Sequence, residues 1–199
     1  MELPALSAVY PDSFFRRRYK LNWRAGIFCP PIKEFIDPKT LVDVGCATGD
    51  FVKWFNNHGI MAHGIEGSTA AKRHLVIPED QCIFHDLRTR LNPPRKYDLA
   101  MSIEVAEHIE PECADIYVEN LTKLSNLLLL TIAGPGQLGH SHVNLQPISY
   151  WDNLFAKHSY VHDYFLKQQI ISALEDHRSN RWVSAIMKNL NIYRRKNNA

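Results

Sequence analysis

The chain is expected to fold as an α/β protein around a doubly wound, mostly parallel sheet of Rossmann-like, three-layer form. Three observations lead there. Short apolar runs alternate with helical patterns from residue 40 to residue 134, the order of a parallel sheet with crossover helices. The first run, residues 40–44, breaks into Gly45-Cys46-Ala47-Thr48-Gly49 ahead of a helix, the kind of turn at which ligands meet backbone in such sheets. The run at 127–132 is wholly apolar, as a strand buried on both faces requires.

Composition sets the frame. At 199 residues, 45% hydrophobic and 22% charged, the chain suits one globular domain rather than a disordered or membrane protein. Within it, residues 1–39 read as an N-terminal arm and helices, 40–134 as the ligand-binding core, and 135–199 as a substrate-side loop and C-terminal strands. A net charge of +2 is too small to imply a nucleic-acid partner by itself. Cys29, Cys46, Cys82 and Cys113 form no CxxC pair, which argues against a zinc knuckle or a redox dithiol and for reduced, packed thiols. The N-terminus lacks the basic start and apolar segment of a secretory signal, and no run approaches a membrane span, so a cytoplasmic setting is expected, whether of a cell or of an infected host.

The elements follow in order. Residues 1–12, with Pro4 and Pro11, read as an irregular arm. Residues 13–28 carry Phe14, Phe15, Arg18, Tyr19, Asn22 and Trp23 along one side of a helix capped by Asp12 or Ser13. Pro30 and Pro31 should end it, leaving 32–36 as a short turn. The helix after the glycine turn runs to a stop at Gly59. Strands are expected at 60–65, 81–84, 97–105 and 127–132, with helices from Thr69, capped by Ser68, to before Pro78, and over 111–125. Beyond a loop at 134–139, the pattern predicts a helix at 148–157, a strand at 160–166, a short helix at 170–175 and a last strand at 187–194.

Two acids close successive strands. Glu66 follows the glycine turn by about 20 residues, the distance of a ribose-binding acid in dinucleotide and related folds. Asp86 ends the next strand, where it can accept from an exocyclic amine or simply form a turn. The basic runs at Arg16, Arg17 and Arg18, and at Arg194, Arg195 and Lys196, read as a solvated helix face and an exposed tail ahead of phosphate contacts.

The stretch Val42-Asp43-Val44-Gly45-Cys46-Ala47-Thr48-Gly49 resembles the glycine motif of class I S-adenosylmethionine-dependent methyltransferases, usually hydrophobic-Asp-hydrophobic-Gly-Cys-Gly-Thr-Gly. Ala47 replaces the middle glycine, a change accommodated where φ is negative. Glu66 matches the family's ribose acid, Asp86 its adenine-side acid, and residues 102–108 its segment after the fourth strand. Neither GxGxxG nor GxxxxGK[ST] reads through the turn. Asn92-Pro93-Pro94-Arg95 resembles the Asn-Pro-Pro-Tyr motif of DNA amino-methyltransferases, but it precedes the fourth strand and ends in arginine, so it reads as a proline loop.

The resemblance implies S-adenosyl-L-methionine as cofactor and seven strands in the order 3-2-1-4-5-7-6, the seventh antiparallel. It places Asp43, Gly45, Cys46, Ala47 and Gly49 at the cofactor's amino-acid end, Glu66 and Gly67 at the ribose, Asp86 and Leu87 at the adenine, and Ser102 and Ile103 along the methionine by backbone contact. A hydroxyl or amine acceptor must lose a proton. His142 is the first candidate for taking it and His108 the second, with His140 and Glu107 behind them. No metal is expected: His140 and His142 alternate as a metal pair would, yet no neighbouring carboxylate or cysteine in sequence completes a set. A small molecule or sugar-containing acceptor is favoured, with RNA or DNA, using Arg16–Arg18, as the alternative, and a non-catalytic cofactor-binding subunit as a third. The sequence leaves the oligomeric state open.

Overall fold

The computed structural model describes residues 5–196. Seven strands, β1 (Thr40–Val44), β2 (Met61–Glu66), β3 (Cys82–Phe84), β4 (Leu99–Ser102), β5 (Leu127–Thr131), β6 (Tyr160–His162) and β7 (Leu190–Arg195), form one sheet in the order β3-β2-β1-β4-β5-β7-β6. β1 to β5 pair in parallel, and β7 runs antiparallel between β5 and β6. The expected architecture holds.

Helices cover both faces because alternate strand residues are apolar on both sides. Leu41 and Leu129 face a core built with α3 (Trp23–Ile36), α4 (Asp50–Asn57), α7 (Tyr164–Ala173) and α8 (Arg181–Asn189). Val42, Val44, Leu128 and Leu130 face the other, built with α5 (Ala114–Leu124) and α6 (Ile148–Lys157), where Trp151, Tyr117 and Phe155 are fully buried. Two short helices, α1 (Leu6–Val9) and α2 (Asp12–Arg16), precede α3.

Several local expectations change. The arm expected over residues 1–12 holds a short helix at Leu6–Val9, and the next helix begins at Asp12; Pro4 lies outside the described residues, as does the side chain of Tyr19. Neither Asp12 nor Ser13 caps α2, which starts at Asp12 itself, its carboxylate on His74 at 2.7 Å. Pro30 and Pro31 lie inside α3 instead of ending it. Each removes a helical hydrogen bond, at about 3 kcal/mol or more for an interior proline, but Phe28, Cys29, Pro31 and Ile32 are buried on the same stretch and packing outweighs the loss. The chain breaks earlier, in a 3-10 turn over Arg18–Leu21.

Ser68 does not cap the next segment, a 3-10 helix at Thr69–His74; its hydroxyl donates to the Tyr10 carbonyl at 2.9 Å. The strand expected at 160–166 ends at His162, because Asp163 caps α7 by accepting from the Leu166 N–H at 3.0 Å. Asn180 likewise caps α8, so the last strand begins at Leu190, not at 187. Arg194, Arg195 and Lys196 are exposed as expected, but the first two end β7 rather than form a tail, and Arg194 pairs with Asp163 at 2.8 Å.

Candidate active site

The glycine turn takes its shape from backbone angles few residues adopt. Gly45, Ala47 and Gly49 all have positive φ, at 83°, 52° and 84°. The expectation of a negative φ at Ala47 is therefore corrected. Its N–H donates to Glu66 Oε2 at 2.9 Å, and that bond holds the residue left-handed against a cost of about 1–2 kcal/mol for an L-residue. Glu66 Oε1 accepts from the Ser68 N–H at 2.8 Å, and Gly45 and Cys46 N–H both donate to the Ile65 carbonyl. The end of β2 thus fixes the turn that follows β1.

Above this turn lies a cavity of about 340 Å³. Of the residues expected at the cofactor, Asp43, Gly45, Cys46, Ala47, Glu66, Gly67, Asp86, Leu87 and Ile103 line it; among the described residues, Gly49 and Ser102 do not. Gly49 instead precedes α4 as its cap residue. The Ser102 hydroxyl turns into the sheet, donating to the Val44 carbonyl at 2.9 Å and accepting from the Tyr117 hydroxyl at 2.8 Å.

Burial, reinforced by Glu66, pushes Asp43 up to about 7. Burial also raises Glu66, against the lowering effect of the N–H groups of Ser68 and Ala47. Burial works to raise Asp86, but hydrogen bonds from Arg88 outweigh it and hold the carboxylate below its ordinary range. Arg88 forks onto both Asp86 oxygens and reaches Glu110 at 3.1 Å.

The cavity's roof was not legible in sequence. Leu6, Tyr10, Phe14, Phe15 and Arg18 reach over the glycine turn from α1, α2 and the 3-10 turn. Arg18 therefore leaves the solvated face proposed for it, while Arg16 and Arg17 remain exposed. Its guanidinium lies 5.2 Å from the Phe14 ring, and burial lowers its pKa against the opposing pull of Glu66, Asp50 and Asp43. The amphipathic spacing of Phe14, Phe15 and Arg18 was visible; its target was not.

At the far end, two histidines converge from segments 34 residues apart in numbering. His108 and His142 rings lie 4.9 Å apart, edge to face. His108 Nδ1 meets the Ser141 carbonyl at 3.1 Å and His142 Nδ1 the Gln137 carbonyl at 2.8 Å. A carbonyl only accepts, so both Nδ1 atoms carry a proton, which leaves Nε2 as the nitrogen facing away from the backbone in each ring. Burial, with His142 and His140 adding to it, lowers His108 to about 4 despite its bond to Ser141, so that ring is neutral. His140 packs instead against Tyr10 and Phe14. Glu107 is fully buried, and burial followed by the charge of Glu104 raises it to about 8, with partial relief from the N–H groups of Glu107 and Ala133. Its Oε1 stands 4.0 Å from His142 Nε2, so the carboxylate that the sequence around His140 and His142 lacks is supplied in space from beside His108.

A family model described as a methyltransferase domain matches residues 15–173. The chain belongs to that family. It is a class I S-adenosylmethionine-dependent methyltransferase, and S-adenosylmethionine is its cofactor. Comparison with curated proteins gives no match. Among solved structures, the chain is similar to the O-methyltransferase from a trans-AT PKS multienzyme of Brevibacillus brevis in complex with S-adenosyl-L-homocysteine, at 20% identity and TM-score 0.57, over 96% of this chain and 79% of that one. It is similar to human N-acetylserotonin methyltransferase in complex with SAM at 12% identity and TM-score 0.60, over 98% of this methyltransferase and 61% of that chain. A phosphoethanolamine N-methyltransferase of Haemonchus contortus matches at 14% identity and TM-score 0.57, over 92% and 56% of the two chains. At these identities the likeness is one of fold.

Proposed function

We propose that the enzyme moves a methyl group to an oxygen or nitrogen of a small-molecule or sugar-containing acceptor. The observation that carries this reading is the roof: Tyr10 sits edge-on to His108 at 5.9 Å and Phe14 stacks near His140 at 6.4 Å. A roof of α1 and α2 residues over the histidine end of the cavity suits a compact acceptor or a terminal group better than an extruded base on a polymer. Arg18, the strongest element of the basic run, is committed to the cavity rather than to an outer phosphate-binding face.

The lining has the chemistry the cofactor needs. A zwitterionic amino-acid end needs an acidic and a basic partner, and Asp43 below with Arg18 in the roof would supply them. Glu66 keeps lone pairs beyond the two its N–H partners occupy, and these would receive the ribose hydroxyls. Asp86 and Leu87 would flank the adenine, with Arg88 holding the carboxylate in place. When bound, S-adenosylmethionine supplies a methyl group that is already electrophilic, so the protein's work is alignment and proton handling. The Nε2 atoms of His142 and His108 are the ring nitrogens not engaged by a backbone carbonyl, and so the ones free to meet an acceptor's proton or an ion. A cytoplasmic, reducing setting is supported by four buried free thiols, and no described helix is long and apolar enough to cross a membrane.

The test is transfer of a radiolabelled methyl from the cofactor to a panel of small hydroxyls, amines and sugars beside RNA and DNA. Label on small acceptors is expected. Label confined to nucleic acid would overturn the acceptor class.

A further inference from the structure

Glu107 is 0% exposed, and neither of its carboxylate oxygens makes a hydrogen bond of full geometry, the N–H groups of Glu107 and Ala133 only approaching it. A buried acid with unmet lone pairs is an arrangement folds avoid unless a positive group answers it. No lysine or arginine forms an ion pair with it among the described residues. What does surround it is two imidazoles: one ligand atom from each of Glu107, His108 and His142 lies within 4.8 Å of the others.

The imidazoles are also oriented. Backbone carbonyls of Ser141 and Gln137 take the two Nδ1 protons and leave both Nε2 atoms facing away from the backbone, which is how second-shell carbonyls present histidine to metal ions. The two segments are tied together as well, because the Glu107 carbonyl accepts from the N–H groups of Val143 and Asn144 at 2.9 and 3.1 Å. The Nε2 end of the His142 ring abuts Gly139, where a Cβ would come within 2.4 Å of it.

We propose that Glu107, His108 and His142 form a binding site for one divalent first-row metal ion, which takes an oxygen of the methyl acceptor as a further ligand. Two imidazoles and one carboxylate suit such ions and leave coordination positions open. A tetrahedral ion with bonds of about 2.1 Å sets its ligand atoms about 3.4 Å apart, so loading draws the three side chains inward. Glu107 gives up no hydrogen bond of full geometry in doing so. Glu104, which also lines the cavity, brings a second carboxyl group nearby. Ion binding stands on this geometry alone, whereas the acceptor contact rests on the methyl-transfer reading above.

The experiment is calorimetric titration of chelator-stripped protein with MnCl₂ and, separately, ZnCl₂, with and without S-adenosylhomocysteine. One ion per chain is expected, and both Glu107→Gln and His142→Ala should weaken it by roughly tenfold or more. If the buried Glu107→Gln variant does not fold, His142→Ala on its loop carries the comparison, together with the electron paramagnetic resonance spectrum of bound Mn²⁺. No saturable binding of either ion, or unchanged affinity in the folded variants, overturns the site. Binding of S-adenosylhomocysteine together with no saturable binding of either ion would sink this inference and leave the methyltransferase reading standing. Methyl transfer to a small acceptor that is indifferent to chelator would overturn the acceptor contact.

Discussion

Ala47 gives its backbone N–H to Glu66 Oε2 at 2.9 Å while holding φ at 52°. One hydrogen bond across the mouths of β1 and β2 thus keeps an alanine in a conformation suited to glycine.

Ala47→Gly should therefore stabilise the protein, by about 1 kcal/mol or somewhat more. For a chain of this size that is a rise in Tm of roughly 2–4 °C per kcal/mol. A thermal melt checks it, and an unchanged or lower Tm would mean the alanine methyl contributes packing that offsets the strain.

Glu66→Gln should weaken S-adenosylhomocysteine binding by roughly tenfold or more and cost stability on the order of 1–3 kcal/mol. The carboxamide has one acceptor oxygen, so either Ala47 or Ser68 loses its partner. Calorimetry and urea denaturation read the two effects separately.

At Gly45, an added Cβ would fall 2.4 Å from Val105 Cγ2 at a φ of 83°. Gly45→Ala is expected to destabilise by about 2 kcal/mol or more, from the clash together with the left-handed backbone. Combining it with Val105→Ala should recover part of the loss. Strictly additive denaturation energies in that double-mutant cycle would show that the two side chains do not meet.

Asp43 is raised from 3.8 to about 7 by burial and Glu66. Between those two values the folded state holds more protons than the unfolded one, so stability falls as pH rises from about 4 to about 7 and then levels off. Asp43→Asn removes that dependence. Its stability relative to the parent should improve steadily across the interval in urea titrations, and parallel curves would contradict the assignment.

His142→Ala should reduce methyl transfer by a factor on the order of 10²–10⁴ while S-adenosylhomocysteine affinity stays. Gly139→Ala should act in the same direction, because its Cβ would strike the His142 ring at 2.4–2.8 Å. Unchanged turnover in both would reduce His142 to a loop-fixing residue.

The features legible in sequence are those whose signal is local. Val42 to Gly49 carries its strand, turn and helix start in contiguous residues, and Glu66 and Asp86 each sit at the end of an apolar run. The features that were not legible depend on where the chain returns. Tyr164, Phe165 and Leu166 favour a strand intrinsically, yet Asp163 starts a helix there, a capping signal present in the sequence but outweighed by the aromatic run. Nothing local says that Arg18 folds over Asp43, or that His142 returns to Glu107, because both depend on long-range packing.

β7 is the last strand in sequence, yet it occupies an interior slot of the sheet, between β5 and β6. Residues 190–194 pair with β5 and residues 193–195 with β6. During synthesis, β5 would therefore wait with an unpaired edge until this segment leaves the ribosome, a window in which its apolar run is exposed to chaperones or to other nascent chains. Completion of that end of the sheet is a late, non-local closure, and shortening the chain through β7 would strike assembly before it touched catalysis.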